Sequence, residues 1–130
     1  MQLAYWCILI AGIMPVCTVA FSKAGARDYD NAEPRAWLDR QNGKRRRADY
    51  AHRNHFEAFP FFAAAVLVAE QLQANPQWIN ILSAIFIVAR IGYTALYLNN
   101  KPTPRSLAWF VGYACVLGLF GIAAFAAHTA

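Results

Sequence analysis

Four ionisable residues, Arg53, Glu57, Arg90 and Arg105, stand within or at the edge of long apolar stretches. A charged group at membrane depth costs about 2.5–3.5 kcal/mol on insertion scales, so such residues are functional candidates by default. Arg47, Tyr50, Asn54, Glu57 and Phe61 recur every three or four residues, which lays them along one face of a helix. Arg90, Tyr93 and Tyr97 follow the same rule at i, i+3 and i+7, and Arg105 opens the next apolar run. Guanidinium forks grip carboxylates through two parallel hydrogen bonds. A pocket rich in Arg, Tyr, Asn and Glu therefore suits a small anionic ligand, with apolar surface beside it for a greasy second ligand.

Each residue also has a plainer reading. The first stripe can be a wet helix end, with Glu57 paired to Arg53 one turn before it. Tyr93 and Tyr97 can be an aromatic belt at the membrane interface, with Arg90 paired to Glu57. Arg105 can be a topology anchor. Arg90 resists its plain reading most, because it lies about two turns below the nearest polar loop and needs a buried partner.

The elements that position these residues follow from composition. The chain has 130 residues, of which 58% are hydrophobic and 15% charged; soluble domains carry about 25% charged residues. Length allows one unit, residues 1–130. The basic residues Lys23, Arg27, Arg35, Arg40, Lys44, Arg45, Arg46 and Arg47 are eight of the twelve Lys and Arg, so the net charge of +5 belongs mainly to one loop and not to a nucleic-acid surface. Cys7, Cys17 and Cys115 lie in apolar runs without metal-type or disulfide spacing; they are expected to be small packing residues.

Leu3 to Phe21 carries no charge and matches the length needed to cross about 30 Å of hydrocarbon. No basic residue precedes it and it exceeds a signal-peptide core, so it reads as a retained span with a kink at Pro15. Four helices are expected, at about 3–22, 47–72, 76–98 and 105–127, plus a short one around Pro34 to Arg40. Ala114 and Gly118 offer the last helix a small packing face. Residues 23–47 and 99–105 hold ten of the twelve basic residues, the eight above plus Lys101 and Arg105. The positive-inside rule then puts both loops in the cytoplasm and both termini on the other side. The expected fold class is all-α, an integral membrane four-helix bundle.

The segment from Arg47 to Phe62, RADYAHRNHFEAFPFF, resembles the signature of the MAPEG family, the membrane-associated proteins of eicosanoid and glutathione metabolism. Asn54, Glu57 and Pro60 stand at its spacing. Ala89-Arg90-Ile91-Gly92-Tyr93 through Tyr97, then Arg105-Ser106-Leu107 and Phe110-Val111-Gly112-Tyr113, resemble the third and fourth helices of microsomal glutathione transferase. The wording is closest to small bacterial members, which implies the cell inner membrane. The resemblance implies a homotrimer with sites between subunits that open to the cytoplasm. It implies glutathione as co-substrate, held by Arg47, Asn54, Glu57, Arg90, Tyr93 and Tyr97, with Arg105 as the catalytic residue that stabilises the thiolate. A nearby guanidinium draws a thiol pKa down from about 8.5 and raises the nucleophilic fraction. The thiolate would attack a lipophilic electrophile or lipid hydroperoxide arriving from the bilayer. One departure stands out: catalytic members carry an Arg four residues before the Asn, and this chain has Tyr50. A phenol does not replace a charged two-pronged clamp.

Three functions fit these residues: a glutathione-dependent transferase or peroxidase, a non-catalytic protein of the same fold that binds a lipid or thiol, and a small proton-coupled exporter built on one intramembrane Glu. The exporter has no need of Arg90 and Arg105 converging on one site.

Overall fold

The computed structural model describes residues 2–129. Its elements are α1 (Leu3–Lys23), α2 (Pro34–Asp39), α3 (Gly43–Gln71), α4 (Pro76–Leu98) and α5 (Pro102–Thr129). Among the described residues there is no strand. Three helices, α1, α4 and α5, are long and apolar enough to cross a membrane, with mean hydropathies of 2.0, 1.8 and 2.1. The long α3 is divided in character, polar from Gly43 to Glu57 and apolar from Ala58 to Ala69. It begins four residues earlier than the sequence suggests, and α5 begins three residues earlier. Pro102 stands at the head of α5, a position where its missing N–H costs no hydrogen bond.

The local signals are plain in the turns. Asn75 caps α4, its Oδ1 accepting from the Gln77 and Trp78 amides at 3.0 and 3.4 Å, and Pro76 fills the first helical position. Gly43 has φ +59°, a left-handed conformation that glycine takes without steric cost, and it turns the chain from α2 into α3. The Ala4 amide, one of the unsatisfied donors at the start of α1, donates to Asn80 Oδ1 at 3.0 Å and ties α1 to α4.

Packing places α3 at the centre, in contact with α1, α4 and α5, while α4 and α5 form the broadest pair. Small residues let α1 and α3 approach closely: Ala4, Cys7 and Ala11 on one side, Ala65 and Ala69 on the other, all buried. Phe62 and Phe86 stack between α3 and α4, with centroids 3.9 Å apart and planes within 7°. On α5, Gly118 is a close-approach point, since a Cβ there would lie 3.3 Å from Leu82 Cδ1. Ala114 is exposed and is not part of that face; Gly112, over the Phe86 ring, takes its place. Cys7 and Cys115 are buried as packing residues, whereas Cys17 is exposed.

The outside is as apolar as the inside. Val88, Phe110 and Phe125 are among the many large hydrophobic side chains left exposed, while Asp49, His55 and Arg90 are buried. This arrangement suits lipid as solvent, because hydrocarbon accepts apolar surface and excludes unpaired charge. The chain is a multi-pass membrane protein.

The basic segment between α1 and α3 is folded, not an open loop. Trp37 of α2 is buried against the Tyr29 ring at 5.1 Å. Arg46 donates to the backbone carbonyls of Gln41 and Asp39, and Ser22 Oγ donates to the Arg45 carbonyl at 2.8 Å. The Arg46 bonds fasten the end of α2 to the start of α3, and the Ser22 bond pins the end of α1 there.

Candidate functional site

Arg90 is the centre of the polar interior. It lies on α4, is 3% exposed, and points toward α3. Its Nε and Nη2 reach His55 Nδ1 at 3.2 and 2.8 Å, and Nη2 donates to Asn54 Oδ1 at 3.0 Å. The Thr94 hydroxyl donates to the Arg90 carbonyl at 2.9 Å, so its oxygen accepts from His55 Nε2 at 2.7 Å. That order fixes the imidazole as the neutral tautomer, with the proton on Nε2 and a lone pair on Nδ1 facing the guanidinium. Asn54 passes the contact on: its Nδ2 donates to Glu57 Oε2 at 3.1 Å. The guanidinium also lies over the Tyr93 ring, 4.4 Å from the centroid.

Glu57 pairs directly with neither arginine expected of it. Arg53 turns the other way, bonding Asp39 at 2.8 Å and Asp49 at 2.9 Å. The folding-back of α2 supplies Asp39, fourteen residues before Arg53 and out of reach of any helical spacing rule. Arg90 reaches Glu57 only through Asn54. Among the described residues these two bridges on Arg53 are the only ion pairs within 4.0 Å, and neither Arg90 nor Arg105 has a carboxylate at that distance.

Two cavities adjoin this network. One, of about 140 Å³, lies between α3, α4 and α5 and is lined by Asn54, Glu57, Arg90, Phe61, Trp109 and Tyr113 among others. The second, of about 200 Å³, is lined by Tyr93, Tyr97, Arg105, Ser106, Trp109 and Phe110. Arg105 lies over the Tyr97 ring at 4.3 Å, and the Tyr97 and Tyr93 rings meet edge to face at 5.5 Å. A ladder of cation and aromatic groups thus runs from Arg105 through Tyr97 and Tyr93 to Arg90. Trp109, stacked on Tyr113 at 5.1 Å, is the shared wall of the two cavities.

The expected single cleft is therefore two adjacent chambers. Asn54, Glu57 and Arg90 meet in the first, and Tyr93, Tyr97 and Arg105 in the second. Arg47 is in neither: its Nη2 donates to the Leu98 carbonyl at 3.3 Å, capping the negative end of α4. Tyr50 stands near the second chamber, its ring 6.5 Å from Tyr97 and under the Arg46 guanidinium at 5.7 Å. His55, Thr94 and Trp109 are the residues that sequence reasoning overlooked. Thr94 stands four residues after Arg90, and Trp109 four after Arg105, so helical spacing held a signal for both.

Chemically, the arrangement is a buried cation held by neutral acceptors and a second cation one aromatic ladder away. The surrounding rings are apolar enough to admit a lipophile. Neither the curated proteins nor the solved structures contain a match to this chain. The model of the MAPEG family matches residues 3–125, nearly its whole length. On that match the protein belongs to the MAPEG family.

Proposed function

We propose that the protein is a membrane-embedded glutathione-dependent transferase or peroxidase acting on lipophilic electrophiles or lipid hydroperoxides. The observation that carries this reading is Arg90, buried with neutral hydrogen-bond partners and, among the described residues, no carboxylate within 4.0 Å, beside a chamber lined by aromatic rings. A tripeptide with two carboxylates and a thiol supplies a carboxylate for direct contact, which Glu57 of the same chamber does not make. In this reading Asn54, Glu57, Arg90, Tyr93 and Tyr97 hold glutathione. Arg105 lowers the thiol pKa and stabilises the thiolate. The lipophile enters along Phe61, Trp109 and Tyr113. Arg47, which caps the end of α4 through Nη2 and leaves its buried Nε–H without a partner among the described residues, joins Asn54, Glu57, Arg90, Tyr93 and Tyr97 in holding the ligand.

The proposal includes four spans, with α3 as the fourth, a reading supported by its contacts with α1, α4 and α5 and by its apolar stretch from Ala58. It includes a homotrimer in the cell inner membrane with both termini on the non-cytoplasmic side, as the basic loops favour. Calorimetry on detergent-purified protein tests the reading: glutathione binds with a dissociation constant of about 1 mM or tighter, and bound thiolate shows in the ultraviolet. Arg105→Ala removes the thiolate absorbance and keeps the fold. Absence of both heat and absorbance in every lipid tested favours a second reading, a non-catalytic protein of this fold binding a lipid or another thiol. Tyr50, at the position where the family's clamp resides, favours that second reading.

A further inference from the structure

A different part of the molecule carries a site of its own. At the ends of α1 and α4 and the start of α3, a groove of about 200 Å³ is lined by Phe21, Lys44, Arg45, Ala48 and Leu98. Its walls have two characters. Phe21, 63% exposed, stands two residues before the end of α1, and Leu98 is the last residue of α4. Both mark the depth at which the apolar spans give way to polar chain, the Lys23 end on one side and Asn99-Asn100-Lys101 on the other. Lys44 and Arg45 rise from the first turn of α3 above those apolar groups, and no acidic residue lines the groove.

The groove is built, not incidental. The bond from Ser22 to the Arg45 carbonyl and that from Arg45 Nη2 to the Ala24 carbonyl, at 2.8 and 3.2 Å, hold α1 and α3 at a fixed separation. Arg45 lies near the Trp37 ring at 6.0 Å, which steadies its guanidinium. Lys44 is exposed at the helix start. The folded segment from residue 23 to 47 has eight cations against Asp28, Asp30, Glu33 and Asp39, a net charge of 8 − 4 = +4.

We infer that this groove seats an anionic phospholipid, its phosphate between Lys44 and Arg45 and the upper part of its acyl chains on Phe21 and Leu98. A cation at headgroup depth attracts an anionic lipid, and the apolar wall beneath it adds a contact for acyl chains that a free anion cannot make. This inference needs only the membrane-spanning helices and stands apart from any binding of glutathione.

Native mass spectrometry of the full chain in detergent, titrated with phosphatidylglycerol and with phosphatidylcholine of identical acyl chains, tests it. The expected result is a preference for phosphatidylglycerol of at least about fivefold. Lys44→Glu brings that preference near unity, and Phe21→Ala weakens retention of phosphatidylglycerol. Arg35→Glu, an equal charge change on α2 outside the groove, leaves it intact. Should Lys44→Glu lower the unfolding temperature, Lys44→Gln gives the same reading with less perturbation. Equal retention of both lipids overturns the inference, as does equal loss with Arg35→Glu, which would mean a diffuse field. Displacement of phosphatidylglycerol by millimolar inorganic phosphate also overturns it, by showing a site for free anions.

Discussion

Arg53 and Arg90 are two arginines handled in opposite ways. Arg53 lies at the polar end of α3, about half exposed, and has two carboxylates, Asp39 and Asp49, in direct contact. Arg90 lies deep against α3, almost wholly buried, and is held by an imidazole, an amide and a tyrosine ring, all neutral. The first is a closed account: its charge is neutralised and its role is to fasten α2 to α3. The second is open, since hydrogen bonds fix the guanidinium without cancelling its charge. A buried cation with no carboxylate in direct contact, Glu57 reaching it only through Asn54, is costly, and an anionic ligand relieves that cost. The contrast separates a structural ion pair from the group proposed to hold the ligand.

Substitutions sharpen the contrast, and the largest effect falls on Arg90. Arg90→Ala weakens glutathione binding by about 10- to 150-fold, the loss of a charge-assisted contact of about 1.5–3 kcal/mol, as calorimetry would read. Arg53→Ala leaves that affinity unchanged and lowers stability, because the buried Asp49 carboxylate loses its partner. A loss of binding in Arg53→Ala equal to that in Arg90→Ala would break the distinction. Next comes His55→Leu, which strands the Arg90 Nε–H and costs about 1–3 kcal/mol in denaturant unfolding. Thr94→Val leaves His55 Nε2–H unsatisfied and costs about 1 kcal/mol by the same measurement. Asp39→Asn is the smallest, at most about 1 kcal/mol, because that pair is solvent-exposed.

Much of this geometry was legible in the sequence, and its limits have physical causes. The spacing of Arg90, Tyr93 and Tyr97 places them on one face of α4, because helical periodicity alone decides which side chains share a face. Hydropathy marks α1, α4 and α5 because each is long, apolar and nearly uncharged. What periodicity does not give is the partner across a helix interface. Arg90 needed a buried partner, and the choice of His55 over Glu57 depends on the rotation of α3 about its axis. Arg53 appeared to have Glu57 within one turn, yet α2 folds back and brings Asp39, a contact no local rule anticipates. Arg47 fell on the right stripe but at the end of the helix, where the nearest unsatisfied group is the Leu98 carbonyl. Trp109 was passed over because an aromatic residue in an apolar run reads as lipid-facing or core, and only three-dimensional packing makes it a partition.

In the proposed function the charge on Arg90 is kept available for a carboxylate. The most direct measurement titrates the purified protein calorimetrically with glutathione and with its diethyl ester, which has the same backbone and thiol without the carboxylate charges. Glutathione is expected to bind and the diester to bind at least about tenfold more weakly, a difference of about 1.4 kcal/mol. Equal affinity for the two compounds would contradict it, because a cation waiting for an anion cannot be indifferent to the loss of that anion.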